Sequence, residues 1–170
     1  ATPEHPWAMK RKEWGHAQPY GVKWFELGNE SDHGNHKCQI HRCYAPQQYV
    51  EYANACIKAM RAVDSTIRLG VVTKPGAGND YDCAWNKAIY AGACPYADFL
   101  VVHFYGPKIT GNDATADFKS CMAYPEQLEQ YMRGYRSLCR EASGKDLPLA
   151  VTEYNIGFSA NDPLPWRFSF

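Results

Sequence analysis

Strand-like and helix-like segments alternate along this chain, and the alternation restricts the fold more than any other feature of the sequence. Short apolar segments rich in strand-forming residues occur at residues 22–27, 67–73, 99–105 and 149–153. The segments between them repeat apolar residues at helical spacing. Strands that alternate with helices form parallel sheets, because each helix returns the chain to the edge from which the next strand starts. The sequence therefore predicts an α/β domain.

The predicted helices have recognisable starts. A short helix is predicted over residues 6–14 and another over 85–90, while Pro46 and Pro125 each occupy the first position of a longer helix, where proline is favoured. Residues 107–124 are predicted to form a long loop. The buried stripes of the two longer helices are predicted at Tyr49, Ala53, Cys56, Met60 and Val63, and at Leu128, Tyr131, Tyr135 and Leu138.

Two of the apolar strands lead to a glutamate. YGVKWFELGNE ends at Glu30, and LPLAVTE ends at Glu153. Asn and Glu are common at strand exits and helix starts, so Asn29 and Glu30 alone are equally typical of a cap for the next segment. A second glutamate at a strand end favours chemistry, because the carboxyl ends of parallel strands open into the same loops. Two carboxylates about 5 Å apart are what double-displacement glycoside hydrolysis requires.

Three motifs carry a resemblance to a known family. WFELGNE, HFY and VTEYN, together with Gly15-His16, Pro19-Tyr20 and residues 165–170, resemble motifs of the (β/α)8-barrel glycoside hydrolases of clan A. The sequence is most similar to the α-L-arabinofuranosidases of family 51 and their relatives, and the similarity covers nearly the whole chain. The resemblance implies a retaining glycoside hydrolase that uses neither a cofactor nor a metal.

The resemblance also implies roles for individual residues. By motif, Glu30 is the acid/base and Glu153 is the nucleophile. Tyr105 lies two residues after His103, so both side chains point to the same face of their strand. Tyr105 would donate a hydrogen bond to the Glu153 carboxylate, His103 would lie in the substrate-facing layer, and Asn29 would bind the sugar 2-hydroxyl. Without the resemblance, His103 and Tyr105 could equally pack into the interior and satisfy each other.

The length of the chain predicts an incomplete barrel. A (β/α)8 barrel typically needs about 250 residues, and this chain has 170. Aligned with the family, the predicted strands correspond to barrel strands 4 to 7. We therefore expect residues 1–170 to be a partial catalytic TIM-barrel domain that lacks strands 1 to 3 and strand 8. Its expected partners are the remaining barrel segments of the same protein, without which it would be inactive.

The charge balance favours an uncharged partner. The chain has 18 basic and 18 acidic residues and no basic stripe, so nothing in it indicates binding to nucleic acid or to an anionic membrane. It also lacks an apolar run of about 18 residues, the length that a membrane-spanning helix requires. A polysaccharide or oligosaccharide substrate fits this balance.

The seven cysteines permit two interpretations. A zinc site would draw on His33, His36, Cys38, His41 and Cys43, but their spacing is not that of a CxxC pair. Disulfide bonds are the favoured interpretation, with Cys56 as the free thiol, and they predict an extracellular or secretory-pathway location. Bonds are expected only within one face of the barrel. The catalytic face would hold Cys38, Cys43, Cys83 and Cys121, and the opposite face Cys94 and Cys139.

Two other functions stay open at this stage. Strand-end residues determine the chemistry, whereas loops determine the sugar, so another clan A specificity such as an endoglucanase, a xylosidase or a glucuronidase is the alternative enzyme. A non-catalytic carbohydrate-binding or structural protein on the same fold is the alternative from another class. The joint presence of Asn29, Glu30, Tyr105 and Glu153 argues against the non-catalytic alternative.

Overall fold

A computed structural model describes residues 2–32, 44–74, 80–109 and 111–158. In chain order the strands are β1 (Trp24–Leu27), β2 (Arg68–Val72), β3 (Phe99–Ile109) and β4 (Leu149–Phe158). The helices are α1 (Pro6–Glu13), α2 (Pro46–Val63), α3 (Ala84–Gly92) and α4 (Ala114–Ser143), with a 3-10 turn at Asp80–Asp82 before α3.

The described strands form one parallel sheet whose spatial order follows the chain, β1-β2-β3-β4. A helix connects each strand to the next, so the predicted α/β class is confirmed. The pairing of β3 with β4 places His103 opposite Glu153 and Tyr105 opposite Asn155. All the carboxyl ends of a parallel sheet lie along one edge, and this edge carries the glutamates singled out above.

Every predicted strand is present, but some of the ends differ. β1 begins at Trp24 rather than at residue 22, and Val22 is exposed. β3 and β4 continue past their predicted ends to Ile109 and Phe158, because the two strands keep pairing beyond the apolar segments. The backbone hydrogen bonds of a strand do not depend on apolar side chains, so a search for apolar runs shortens such strands.

The start of α4 was predicted wrongly. The helix begins at Ala114 and contains Pro125 in its interior, so most of the loop predicted over residues 107–124 is helix or strand. The Asp113 side chain caps the helix by accepting hydrogen bonds from the backbone N–H groups of Thr115 and Ala116. A good cap upstream explains why the helix starts before the proline. Although α4 is long, none of the helices in the described ranges has the length and apolar character that a membrane crossing requires.

The helices pack on β2 and β3 to form the core. From α2 the core takes Tyr49, Val50, Ala53 and Ile57, while Val63 is 89% exposed, so the stripe predicted on this helix is partly wrong. The predicted spacing followed seven-residue steps, which drift by about 20° per step from the repeat of a straight helix. On α4, Tyr135 and Cys139 are buried, and Leu128, Tyr131 and Leu138 pack against the core from its margin.

One tyrosine hydroxyl joins the carboxyl ends of β1 and β2. The Tyr49 hydroxyl donates to the Leu27 carbonyl oxygen over 2.8 Å and accepts from the Val72 N–H over 2.6 Å. Tyr49 is fully buried, and burial raises its pKa, which keeps the hydroxyl protonated and able to donate. The hydroxyl therefore satisfies two backbone groups that the sheet leaves unpaired, and it fixes the last residues of β1 just before the Gly28-Asn29-Glu30 turn.

A carboxylate holds together the amino ends of the strands, at the other end of the sheet. Asp98 precedes β3 and accepts hydrogen bonds from the Leu69 N–H over 2.9 Å, from Arg61 over 2.7 Å and from Arg68 over 3.3 Å. Burial acts to raise the pKa of the Asp98 carboxyl, but these hydrogen bonds and the two arginines outweigh it and hold the pKa below its usual value. Asp98 thus ties α2, β2 and β3 together in its ionised form.

Replacing Tyr49 with Phe should destabilise the fold by about 1 to 3 kcal/mol, because it leaves a buried N–H and a buried carbonyl without a partner. The measurement is the free energy of unfolding in urea, made on the complete protein. Tyr96→Phe is the matched control, since Tyr96 is 56% exposed and should change stability by less than about 0.5 kcal/mol. Equal effects of the two substitutions would contradict the bridging role of Tyr49.

Candidate active site

A buried histidine brings two of the predicted glutamates together. His103 on β3 is 3% exposed, and its Nδ1 lies 3.0 Å from Oε1 of Glu30 and 3.7 Å from Oε2 of Glu153. One oxygen of each glutamate and a ring nitrogen of His103 all lie within 4.8 Å of one another. The two strand-end carboxylates therefore lie close together, on the Nδ1 side of the His103 ring.

The turn after β1 is built to direct Glu30 inward. Glu30 has a backbone φ of 43° and Gly28 a φ of 102°, both in the left-handed region. A Cβ on Gly28 would come within 2.5 Å of the Ser31 Oγ and would be strained at this φ, so the turn favours glycine there. Non-glycine residues avoid positive φ, and such strain is concentrated at functional sites. The turn leaves the Glu30 side chain buried beside His103 and Asn29 half-buried just before it.

A bulge in β4 places two neighbouring side chains on His103. Val102 pairs with Val151 while His103 pairs with Glu153, so Thr152 is the extra residue on β4. Successive strand residues normally point to opposite faces. Here Thr152 Oγ1 lies 3.1 Å from Nε2 of His103, and Glu153 approaches Nδ1. The bulge thus allows both residues to reach the same ring.

Tyr105 contacts the second glutamate directly. Its hydroxyl donates to Oε2 of Glu153 over 2.8 Å, as the resemblance implied. His103 contacts Glu30 and Thr152, so the hydroxyl and the imidazole each have a partner on another element. The alternative was that His103 and Tyr105 only hydrogen-bond to each other, and these contacts with other residues differ from it.

Sequence reasoning missed a third carboxylate in the cluster. Glu26 lies within β1, and its Oε1 is 4.0 Å from Nε2 of His103, buried and without a hydrogen-bond partner among the described residues. Burial raises the pKa of the Glu26 carboxyl. His103 opposes this rise, whereas the charges of Glu153 and Glu30 add to it. A charged residue inside an otherwise apolar strand was the available signal, because glutamate is seldom buried without a partner.

The same groups are the described residues best placed to bind a cation. Glu30, His103 and Glu153 offer two carboxylate oxygens and a ring nitrogen, a ligand set that suits a divalent transition metal. The five histidines and cysteines considered for zinc, within residues 33–43, lie outside the described residues.

The described cysteines do not form the expected disulfides. Cys56, Cys83, Cys94, Cys121 and Cys139 are all free thiols. Two of them, Cys94 and Cys139, are buried and share a hydrogen bond, which lowers the pKa of Cys139 to about 7 and raises that of Cys94. Cys38 and Cys43 lie outside the described residues.

Comparison with known proteins agrees with this geometry. The sequence model of glycosyl hydrolases family 39 matches residues 14–168. The chain belongs to this family. The family 39 chain is a clan A glycoside hydrolase sequence related to the family 51 arabinofuranosidases, which confirms the resemblance noted from its motifs.

Relatives of the family 39 chain are arabinofuranosidases. It is 24% identical over 161 residues to intracellular exo-α-(1→5)-L-arabinofuranosidase 1 of Bacillus subtilis, and 24% identical over 163 residues to an exo-α-(1→6)-L-arabinofuranosidase of Bifidobacterium longum. These alignments cover 92% and 91% of the chain and 30% of each relative.

A solved family 51 α-L-arabinofuranosidase from Bifidobacterium longum has the same fold, with a TM-score of 0.68 at 21% identity, covering 91% of this chain and 30% of that one. The family 39 chain thus spans 30% of the length of each of these three proteins. Its four parallel strands and their helices are part of a (β/α)8 barrel, as predicted.

The predicted location of the family 39 chain is wrong. An extracellular or secretory-pathway location was inferred from the cysteines, but four of the matched relatives, the Bacillus subtilis enzyme among them, are named as intracellular. The free thiols of the described chain agree with this correction. Cysteine number alone does not indicate an oxidising compartment, because buried thiols also act as small apolar side chains.

The raised pKa of Glu26 predicts a pH-dependent stability difference. A carboxyl whose pKa is higher in the folded than in the unfolded protein stabilises the fold when protonated, and that contribution is lost as the pH rises through the folded-state pKa. Glu26→Gln should therefore raise the melting temperature at pH 7, and the gain should shrink as the pH falls towards 4.5, the ordinary glutamate value. Thermal unfolding of the complete protein across this pH range measures both the gain at pH 7 and its decrease in acid.

Glu51→Gln is the matched control for this experiment, because Glu51 is exposed on α2. It should leave the melting temperature nearly constant across the same pH range. A Glu26→Gln protein that is less stable at pH 7, or whose gain does not depend on pH, would contradict an unfavourable buried charge at Glu26.

Proposed function

We propose that the protein is a retaining glycoside hydrolase that removes α-L-arabinofuranosyl residues from a polysaccharide or oligosaccharide by double displacement. The observation that carries the proposal is the approach of the Glu30 and Glu153 carboxylates, which lie with a His103 nitrogen within 4.8 Å of one another. Retaining enzymes hold their two carboxyl groups about 5 Å apart, whereas inverting enzymes leave a wider gap for water.

The proposed reaction has two steps. First, Glu153 attacks the anomeric carbon while Glu30 protonates the departing glycosidic oxygen, which gives a glycosyl ester on Glu153 and a free alcohol. Second, Glu30 removes a proton from a water molecule that attacks the same carbon, which releases the sugar and restores the Glu153 carboxylate. Two inversions at one carbon leave its configuration unchanged.

Neighbouring residues support these roles. The Tyr105 hydroxyl donates to one oxygen of Glu153, which orients the carboxylate for attack. His103 contacts both glutamates from a buried position. Asn29, half-buried beside Glu30, is proposed to bind the sugar 2-hydroxyl, a hydrogen bond that strengthens in the transition state.

The sugar and its linkage are inferred from the relatives. The relatives include an exo-α-(1→5)- and an exo-α-(1→6)-L-arabinofuranosidase, and each is only 24% identical to this chain. The match to family 39 beside relatives of family 51 supports a second candidate, a different glycoside specificity on the same catalytic residues, such as that of a xylosidase, an endoglucanase or a glucuronidase. A panel of aryl glycosides separates the two candidates.

Activity is further proposed to need the other strands of the barrel. Within the described residues, β1 pairs only with β2 and β4 only with β3, so each has an unpaired edge. Trp24 on β1 is 62% exposed, and Val151 on β4 is 36% exposed. Burial of such apolar surface stabilises a fold by about 25 cal/mol per Å². Further barrel segments of the same polypeptide would cover these side chains and pair these edges.

The proposed roles predict different behaviour of two alanine variants. In the complete protein, Glu153→Ala should reduce kcat on an aryl α-L-arabinofuranoside to background, and azide should restore turnover with inverted configuration. Glu30→Ala should keep substantial activity on substrates with good leaving groups, which need little protonation, and azide should then give a product of retained configuration. Product configuration is measured by proton NMR.

Tyr96→Ala is the control for a general effect of substitution, because Tyr96 is exposed and belongs to neither step. Inverted products from Glu30→Ala with azide would exchange the two roles. An inverted product from the unmodified protein would disprove double displacement, and an absence of turnover on every aryl glycoside would favour a non-catalytic protein.

Residues 1–170 produced alone should show neither glycosidase activity nor a cooperative thermal transition, because half of the barrel interior would then face water. The measurement combines calorimetry with assay on the same aryl glycosides, and the complete protein is the positive control. A soluble, active monomer of residues 1–170 with a cooperative transition would show that the other strands are unnecessary.

A further inference from the structure

β3 and β4 stay paired beyond the second glutamate of the site. His103 pairs with Glu153, and two residues further along Tyr105 pairs with Asn155, with no shift in register between these two pairs. Paired residues of neighbouring strands lie on the same face of a sheet, and so do residues two apart on one strand. Asn155 therefore lies on the same face as Glu153 and Tyr105.

This face lines the candidate active site. The Tyr105 hydroxyl contacts Glu153 on it, and Tyr105 is partly exposed. The opposite face packs into the core, where Phe104 is buried. Asn155 is exposed. Since a strand rises about 3.3 Å per residue, its Cα lies about 7 Å beyond that of Glu153, towards the end of the strand at which a barrel opens to its substrate.

A backbone hydrogen bond orients the Asn155 carboxamide. Its Oδ1 accepts from the Ile156 N–H over 2.8 Å, where the register of the two strands shifts and Gly106 and Pro107 lie opposite Ile156 alone. A backbone N–H can only donate, so the carboxamide atom beside it is the oxygen. The Nδ2 group, which carries two N–H donors, lies on the other side of the carboxamide. It has no hydrogen bond within the described part of the chain.

The segment of β3 opposite Asn155 is held from two directions. A Cβ on Gly106 would come within 2.7 Å of the Tyr124 ring, so this ring of α4 lies directly against the Gly106 backbone. Tyr105, just before it, is held by the hydrogen bond from its hydroxyl to Glu153. Side chains on strands are positioned more precisely than those on loops. The Asn155 donor is therefore fixed relative to the second glutamate.

We propose that Nδ2 of Asn155 donates a hydrogen bond to a hydroxyl of the glycosyl residue that becomes bonded to Glu153, and so helps to select that sugar. The inference rests on the proposed role of Glu153 as the nucleophile. In that reaction the sugar stays at Glu153 through both steps, whereas the alcohol leaves on the side of Glu30. A donor on the strand of the nucleophile therefore faces the glycosyl residue. A site that hydrogen-bonds a hydroxyl discriminates against a sugar that lacks it.

The test compares Asn155→Leu with the unmodified complete protein on nitrophenyl α-L-arabinofuranoside and on each of its monodeoxy analogues. On the parent sugar, Asn155→Leu should lower kcat/KM about two- to tenfold, the range for one neutral hydrogen bond. On the analogue that lacks the partner hydroxyl, the two proteins should have equal kcat/KM. An equal loss on every sugar would mean that Asn155 only supports the structure, and it would overturn the proposal.

A second comparison varies the leaving group. The loss in Asn155→Leu should be the same for good and poor leaving groups, because the contact is with the glycosyl residue that all these substrates share. A loss confined to one leaving group would place Asn155 against the alcohol and contradict the proposal. Tyr154→Phe is the matched control, because Tyr154 is the preceding residue on β4 and lies on the opposite face. It should leave kcat/KM unchanged.

A third measurement is independent of turnover. In a Glu153→Ala protein, the nitrogen-15 NMR signal of the Asn155 side-chain amide should shift when methyl α-L-arabinofuranoside is added, and its loss in Asn155→Leu identifies the signal. A signal that stays unchanged at every sugar concentration would overturn the proposal. If the complete protein hydrolysed no glycoside, the proposed function would fail, and a shift of this signal would still show that Asn155 binds the sugar.

Discussion

The imidazole of His103 makes the close approach of the carboxylates tolerable, and the rest of the site depends on it. Glu26 and Glu30 come from β1 and the turn after it, Glu153 comes from β4, and all three lie within 4.0 Å of its two nitrogens. Carboxylates so close to one another repel unless protons or a cation lie between them. The imidazole ring lies between the carboxylates and has a nitrogen on each side. Nδ1 faces Glu30 and Glu153, and Nε2 faces Glu26.

Much of this arrangement is present in the sequence because parallel sheets follow local rules. An apolar strand that leads to a glutamate identifies a residue at the carboxyl edge, and two such strands in one sheet bring their ends together without further information. Glu30 and Glu153 could therefore be predicted, and so could the order of strands and helices. The resemblance to clan A added His103 and Tyr105, whose contacts with Glu30 and Glu153 the structure contains.

The features that were missed depend on contacts between distant segments. Thr152 reaches His103 only because β4 has one extra residue opposite β3, and no alternation pattern reveals such a bulge. Glu26 was passed over because it interrupts an apolar strand by a single residue, and its importance appears only once β1 and β3 lie in one sheet. For α4, the rule that favours proline at a helix start competed with the cap at Asp113, well upstream of Pro125, and the helix in fact begins directly after Asp113.

Acid has opposite effects on the stability of the two ends of the sheet. Asp98 stabilises its edge while ionised, and this contribution is lost only when the pH falls below the normal aspartate range, because its pKa is lowered. Glu26, at the other end of the sheet, destabilises the fold while it is ionised. Protonation removes this destabilisation at a higher pH, because the pKa of Glu26 is raised. Between the two titrations lies a mildly acidic pH interval in which Asp98 is still ionised and Glu26 is already protonated. Both groups therefore favour the folded state most in this interval rather than at neutrality.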